Sequence, residues 1–206
     1  MNFYPSAALS DAMNKMFTMD AGIKPLKEGY KMIGIAYTVK CYPGSIITCH
    51  KALGEVPSGS VLVIDGGGSP EGALFGELTS MEAMERGVKG IVVDGAVRDV
   101  ALIRSFDFPA FTRHVTPRVG TNKTIGTTGE AVVCGGVVVH TGDLIIGDDD
   151  GVVVVPKEQI EEMLQAAAHI EELEADIARK VKDGAHIADL IGFGPMIAAA
   201  SAAQKK

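Results

Sequence analysis

The chain reads as an α/β protein folded as one domain across residues 1–206, and three features predict this class. Short β-branched apolar runs at residues 60–64 and 90–93 are separated by a segment of helical composition, the alternation expected of β-α-β units. A second group of apolar runs, from Ala131 onward, is joined by turns too short to hold helices. No linker-like stretch or internal repeat divides the sequence, and 206 residues at 47% hydrophobic content suffice for one continuous core.

The elements follow in order. Ser6 to about Phe17 predicts a helix capped by Ser6 or Ser10, with Leu9, Met13 and Met16 or Phe17 at helical spacing. After the turn-rich segment Gly22 to Gly29, Met32 to Val39 reads as a strand, and His50 to Leu53 as part of a short helix ending at Gly54. Ser60 to Ile64 predicts a strand, Gly72 to Arg86 a helix, Gly90 to Val93 a strand, Val100 to Ser105 a helix and Pro109 to Thr112 a strand. Val132–Val133, Gly136 to Val139, Asp143 to Ile146 and Gly151 to Val155 predict a strand-rich face beside this α/β part. A long helix over about 157–183 follows Pro156, with Ile160, Met163, Leu164, Ala167, Ile170, Leu173, Ile177 and Val181 on one face and Gly184 as its C-cap. The Ala-rich tail at 186–206 is expected to pack on a neighbouring subunit.

Composition narrows the function. A net charge of −7, with 19 scattered cationic residues, gives no basic patch for phosphates, so no nucleic-acid partner is expected. The longest apolar runs fall far short of the roughly 20 residues a membrane-spanning helix needs, so no membrane partner is expected either. Cys41, Cys49 and Cys134 form no CxxC and no even disulfide framework, and the N-terminus lacks a signal-peptide layout. A soluble protein of the reducing cytoplasm is the expectation. The 25 glycines, against only 5% aromatics and no tryptophan, imply many turns and close backbone approaches.

Several chemistries are absent: there is no GxxxxGK[ST], no GxGxxG at Gly66–Gly68, no HExxH or Cys/His zinc spacing, and no GxSxG elbow. The five histidines, at 50, 114, 140, 169 and 186, are isolated and read as structural or surface residues. Asp65 and Asp94 each directly follow an apolar strand, where open α/β folds collect ligand groups. Arg98 and Asp99 come just beyond the second of these strands, at the start of a helix. The planar fork of arginine suits a substrate carboxylate, and the hard oxygens of aspartate suit Mg²⁺ or Mn²⁺. With Glu77 nearby, such a site grips a 2-oxo acid while a metal polarises its carbonyl. The plainer reading of the same pair is a surface Arg–Asp that caps a helix.

Glu77, twenty intervening residues and then Arg98-Asp99, in the frame GELTSMEAMERGVKGIVVDGAVRDV, resemble the acidic-x20-Arg-Asp signature of the class II 4-hydroxy-4-methyl-2-oxoglutarate/4-carboxy-4-hydroxy-2-oxoadipate aldolases of the RraA-like family. SDAM near the start, HKALGEVPSGSVLVIDG upstream and TGDLIIGDDDGVVVVP downstream extend the resemblance over essentially the whole chain. It implies an α-β-β-α layered sandwich of the swivelling β/β/α type, a homotrimer or hexamer, and a divalent-metal-dependent retro-aldol cleavage yielding pyruvate, often with oxaloacetate decarboxylation. By position it makes Asp99 the metal ligand, partly through waters, and Arg98 the residue that binds the pyruvyl carboxylate and stabilises the enolate. Gly76, Glu77, Leu78 and Thr79 become substrate contacts, largely through backbone N–H groups, with Glu77 ordering the metal's waters. Glu77 stands where aldolase members carry aspartate, which keeps the charge and changes its reach.

The residues agree with a metal as the electron sink, since no lysine stands in a context suited to a Schiff base. Aldol cleavage and β-decarboxylation share a pyruvate enolate, so one oxyanion-stabilising site serves both. A metal-bound water is the expected proton relay, oriented by Glu77 or Asp65. Asp148-Asp149-Asp150-Gly151 reads as a polar turn in preference to a metal cluster. Gly66–Gly68 suits either an anion cradle or a tight turn, and Arg113 and His114 either reach the cleft or lie at the surface. The same family includes regulators that inhibit a ribonuclease by protein contact, the alternative function, and a quinone-precursor methyltransferase label for which no nucleotide motif is present.

Overall fold

Strands Ser60–Asp65 and Gly90–Val97 are buried at every residue, on both faces, as central strands of a covered parallel sheet must be. They lie within a computed structural model that describes residues 1–204; Lys205 and Lys206, the end of the Ala-rich tail, lie outside it. In chain order the elements are α1 (Ser6–Ala12), β1 (Lys24–Pro25), β2 (Met32–Lys40), α2 (Ile47–Glu55), β3 (Ser60–Asp65), β4 (Ala73–Phe75), α3 (Glu77–Glu85), β5 (Gly90–Val97), α4 (Val100–Ser105) and β6 (Ala110–Val115). There follow β7 (Thr127–Thr128), β8 (Val132–Cys134), β9 (Val137–Val139), β10 (Leu144–Asp148), β11 (Gly151–Val155), a 3-10 turn at Lys157–Gln159, α5 (Ile160–Lys182), α6 (Ile187–Leu190) and α7 (Gly194–Ala203).

One sheet runs β1-β6-β5-β3-β2-β10-β11, with β4 added beside β5 and β7 beside β2. The inner strands β2, β3, β5 and β6 are parallel, whereas β10, β11 and β1 run antiparallel to their neighbours. The α/β class holds, and the late strands β10 and β11 continue the same sheet through β2 instead of forming a separate face. The sheet curls towards a barrel. Phe111 on β6 lies against Gly147 on β10, four places away in the strand order, so closely that a Cβ on Gly147 would stand 2.8 Å from the phenyl ring. The gap at the edge is bridged by residues 17–24: Met19 N–H donates to Val152 O at 2.9 Å, Val154 N–H to Phe17 O at 3.0 Å, and Lys24 Nζ to Asp150 O at 2.6 Å.

Two apolar clusters result. The larger fills the curled sheet and its α2–α4 side, with Phe75, Phe108, Phe111, Met32 and Ile64 among its members. The smaller packs Leu9 and Met13 beside Leu144, Ile146, Val153 and Val155, under Ile160, Met163, Leu164, Ala167 and Ile170 of α5. Burying side chains of this size contributes about 1.5–3 kcal/mol each, which is what holds α1 and α5 on the sheet.

Three local expectations change. The first helix ends at Ala12, because Asn14, Lys15 and Phe17 take positive φ of 53°, 66° and 60°, and neither serine caps it: Ser6 N–H and Oγ both donate to Asp148. The segment expected to be helical from Gly72 opens with the short strand β4, and α3 begins only at Glu77. The helix containing His50 starts earlier than expected and passes through Gly54 to Glu55. Among the described residues, no helix is long and apolar enough to cross a membrane.

Candidate active site

Two strand-to-helix turns lie side by side at the C-terminal ends of parallel strands. β4 pairs in parallel with the end of β5, placing Phe75 opposite Val97, and Arg98 N–H donates to Phe75 O at 3.0 Å. Beyond this bond each chain turns into a helix: Gly76 leads into α3, and Arg98-Asp99 into α4. Asp99 is the N-cap of α4 in a left-handed conformation, φ 56° and ψ 34°. Its Oδ2 accepts the Glu77 N–H at 3.2 Å and lies 3.3 Å from Arg98 Nε. The Asp99 carboxylate thus ties the first turn of α3 to the arginine.

Gly76 makes this closeness possible, since a Cβ there would stand 2.7 Å from Asp99 Oδ2 and 3.1 Å from Arg98 Cγ. Thr79 Oγ1 accepts the Gly76 N–H at 2.9 Å, and Ser80 Oγ donates to Gly76 O at 2.8 Å, fixing the turn from within. The remaining N–H groups of the first turn of α3 are those that helix geometry leaves without backbone partners, at the positive end of the helix dipole.

These groups open into a cleft of about 240 Å³ lined by Gly76, Glu77, Leu78, Thr79, Arg98 and Asp99 together with Phe75, Ile46, His50 and Val119. All six residues singled out in the sequence meet there. His50, on α2, and Val119 join them without having been anticipated; the only hint was the position of His50 within HKALGEVPSG, which marks a helix and not where that helix points.

Asp65 and Asp94 are brought together elsewhere. Asp94 Oδ1 accepts from Arg113 Nε at 2.6 Å, and its Oδ2 from Gly135 N–H at 2.7 Å. Asp65 forms an ion pair with Lys40 and accepts from Gly67 N–H at 2.9 Å and Val133 N–H at 3.3 Å. The hydrogen bond that Arg113 donates to the Asp94 carboxylate raises the Arg113 pKa further, and Gly22 N–H followed by Arg113 lowers that of Asp20. The two aspartates therefore clamp the β8–β9 hairpin over the end of β3 and the middle of β5, and Asp65 does not orient groups in the cleft. His114 Nε2 is 3.2 Å from Gly68 O, so Arg113, His114 and the Gly66–Gly68 turn belong to this clamp. Asp148 accepts from Ser6, and Asp149 from Gly29 N–H at 2.8 Å, which makes the acidic run a structural turn.

Among the described residues no group of three or more His, Cys, Asp or Glu is gathered to hold a metal. The Asp99 carboxylate in the cleft has the oxygen chemistry that a hard cation takes. Asp99 Oδ1 takes no hydrogen bond among the described residues, and its carboxylate is about one-third exposed.

Comparison with known proteins places this arrangement. A protein of Halalkalibacterium halodurans, provisionally named 4-hydroxy-4-methyl-2-oxoglutarate aldolase, is 39% identical over 163 residues, covering 79% of this chain and 78% of that protein. An uncharacterized protein from Pseudomonas syringae pv. tomato superposes with a TM-score of 0.83 at 28% identity, over 91% of this chain and 88% of the other. The RNA-processing inhibitor RraA from Thermus thermophilis gives a TM-score of 0.69 at 28% identity, over 76% of this chain and 94% of its own. The profile of the RraA-like family, described as Aldolase/RraA, matches residues 6–154, and the chain belongs to that family.

Proposed function

We propose that the chain is a divalent-metal-dependent, class II pyruvate aldolase that cleaves 4-hydroxy-4-methyl-2-oxoglutarate or a related 4-hydroxy-2-oxo acid to pyruvate, with oxaloacetate decarboxylation as a side activity. The observation that carries this reading is the convergence of the Arg98 guanidinium, the Asp99 carboxylate and the first turn of α3 on one small cleft. The provisional name of the Halalkalibacterium relative points to the same reaction.

The Asp99 carboxylate suits Mg²⁺ or Mn²⁺ held by one protein ligand, waters and substrate oxygens, because Mg²⁺ characteristically retains several waters. When bound, such a cation supplies Lewis-acid polarisation of the 2-oxo group. Arg98 binds the adjacent carboxylate through its planar fork, and with the α3 N–H groups stabilises the negative charge that develops on the substrate oxygen. Glu77 holds the water that takes the proton from the 4-hydroxyl group. The C3–C4 bond then breaks, its electron pair moves towards the 2-oxo group, and C3 is protonated to give the methyl group of pyruvate. With oxaloacetate the same electron pair is released as carbon dioxide leaves. No lysine lines the cleft among the described residues, in keeping with the absence of a Schiff base.

The test is pyruvate release from 4-hydroxy-4-methyl-2-oxoglutarate and from oxaloacetate, with Mg²⁺ or Mn²⁺ and with EDTA. Turnover that requires metal and falls at least 100-fold in Asp99→Ala is expected; turnover untouched by EDTA, or an equally active variant, contradicts the proposal. The likeness to the RNA-processing inhibitor supports a second reading, a protein-binding ribonuclease regulator without catalysis. Ribonuclease capture by a protein inert towards both substrates would favour it. The same proposal includes a homotrimer or hexamer in the cytoplasm, where the three cysteines remain free thiols.

A further inference from the structure

Two basic side chains on different elements line the cleft. Of its lining side chains only two are able to carry a positive charge: Arg98, after β5, and His50, on α2. Lys51, next to His50 in sequence, pairs with Glu55 at 2.7 Å, and Arg118, next to Val119, with Glu71 at 3.1 Å. The His50 ring is exposed and makes no hydrogen bond among the described residues, so its ring nitrogens remain open to a ligand. Of the other lining side chains, Ile46, Phe75 and Val119 are apolar and Glu77 and Asp99 are acidic, so apart from Arg98 and His50 only the first-turn N–H groups of α3 favour an anion.

We infer that His50 forms the second anion subsite of this cleft and binds the far carboxylate of a 2-oxo dicarboxylic acid whose first carboxylate is held by Arg98. The inference rests on the reading of the cleft as a 2-oxo acid site. It gives that site a selectivity device: a monocarboxylic 2-oxo acid satisfies Arg98 alone, whereas a dicarboxylic one satisfies both side chains.

Binding of two unreactive five-carbon ligands tests this apart from catalysis. Neither 2-oxoglutarate nor 2-oxopentanoate carries a 4-hydroxyl group, and they differ only in the far carboxylate. Titration calorimetry in the presence of Mg²⁺ is expected to show wild-type protein binding 2-oxoglutarate about fivefold more tightly, the size of one partly exposed charge pair. His50→Asn is expected to bind both ligands equally, and His50→Arg to regain the preference, a rescue that a merely structural role would not give. A preference that survives in His50→Asn overturns the inference. So does an unchanged preference accompanied by a fall in turnover, which would make His50 a proton-transfer group. Wild-type protein that binds neither ligand removes the 2-oxo acid reading itself, and wild-type protein that binds both equally removes only the subsite.

Discussion

Asp99 holds an uncommon position for a residue with a side chain, because at φ 56° its Cβ crowds the backbone. Aspartate accepts this more readily than most residues, since its short polar side chain bonds locally. Here it bonds the Glu77 N–H and approaches Arg98 Nε, so the strained backbone holds both charges of the cleft in register. Gly76 is the matching requirement on the other strand. Gly76→Ala would place a methyl group 2.7 Å from Asp99 Oδ2, and the carboxylate would have to move with Arg98 beside it. Displacing a reacting group by about 1 Å costs on the order of 100-fold in rate, whereas local overpacking costs about 1–3 kcal/mol. The expected result is a loss of pyruvate-forming activity of at least tenfold with a folded protein, measured by steady-state kinetics beside a circular-dichroism melt. Unchanged kinetics would show that the Gly76–Asp99 contact does not set the geometry of the cleft.

At the scale of elements, what local sequence could reveal and what it could not divide clearly. The continuous apolar runs of β3 and β5 are legible because both faces of these strands are buried; Arg98 and Asp99 are legible because they follow such a run directly, and Glu77 through its twenty-residue spacing from them in the family resemblance. β4 is not: three residues, Ala73–Phe75, are too few to show a period, and the helix after them dominates the composition. Asp65 ends β3 as expected, whereas Asp94 lies inside β5, which runs on to Val97; their partners Val133 and Gly135 lie 68 and 41 residues away, and nothing local shows that a hairpin folds over them. His50 escaped for the same reason, since only packing decides which way a short helix faces. Arg113→Ala tests the clamp. It leaves the Asp94 carboxylate, whose side chain is 10% exposed, without its cation. Breaking a buried pair from one side costs about 3–5 kcal/mol, and the partial exposure of Arg113 reduces the expected loss to about 2–4 kcal/mol in urea unfolding. Ligand binding in the cleft should change far less, because Arg113 does not line it. A loss below about 0.5 kcal/mol, the size of an ordinary surface substitution, would show that the hairpin is held by other means.

Over the whole molecule, the curled sheet and the tail have opposite character. Phe111 seals the interior against Gly147, and α1 with the first half of α5 covers the outer face of β10 and β11. Beyond Ile170 the apolar stripe continues without cover: Leu173 is half exposed, and no residue of α7 is buried, although Met196 and Ile197 are 68% and 53% exposed beside the equally exposed Phe193. Large apolar side chains left to water along one segment mark a surface for another molecule to cover. The region also lies past residue 154, where the match to the family profile ends. The proposed trimer or hexamer accounts for this surface if α7 packs on a neighbouring copy. The double variant Met196→Asp and Ile197→Asp tests that role without disturbing the protomer, because neither side chain supports its core. Light scattering should give the wild-type chain an oligomeric mass and the variant a smaller one, with unchanged circular dichroism. The melting temperature should rise with protein concentration for the wild type and lose that dependence in the variant, because association stabilises only the folded state. A variant that keeps the wild-type mass would separate α7 from assembly and leave its apolar surface to another partner.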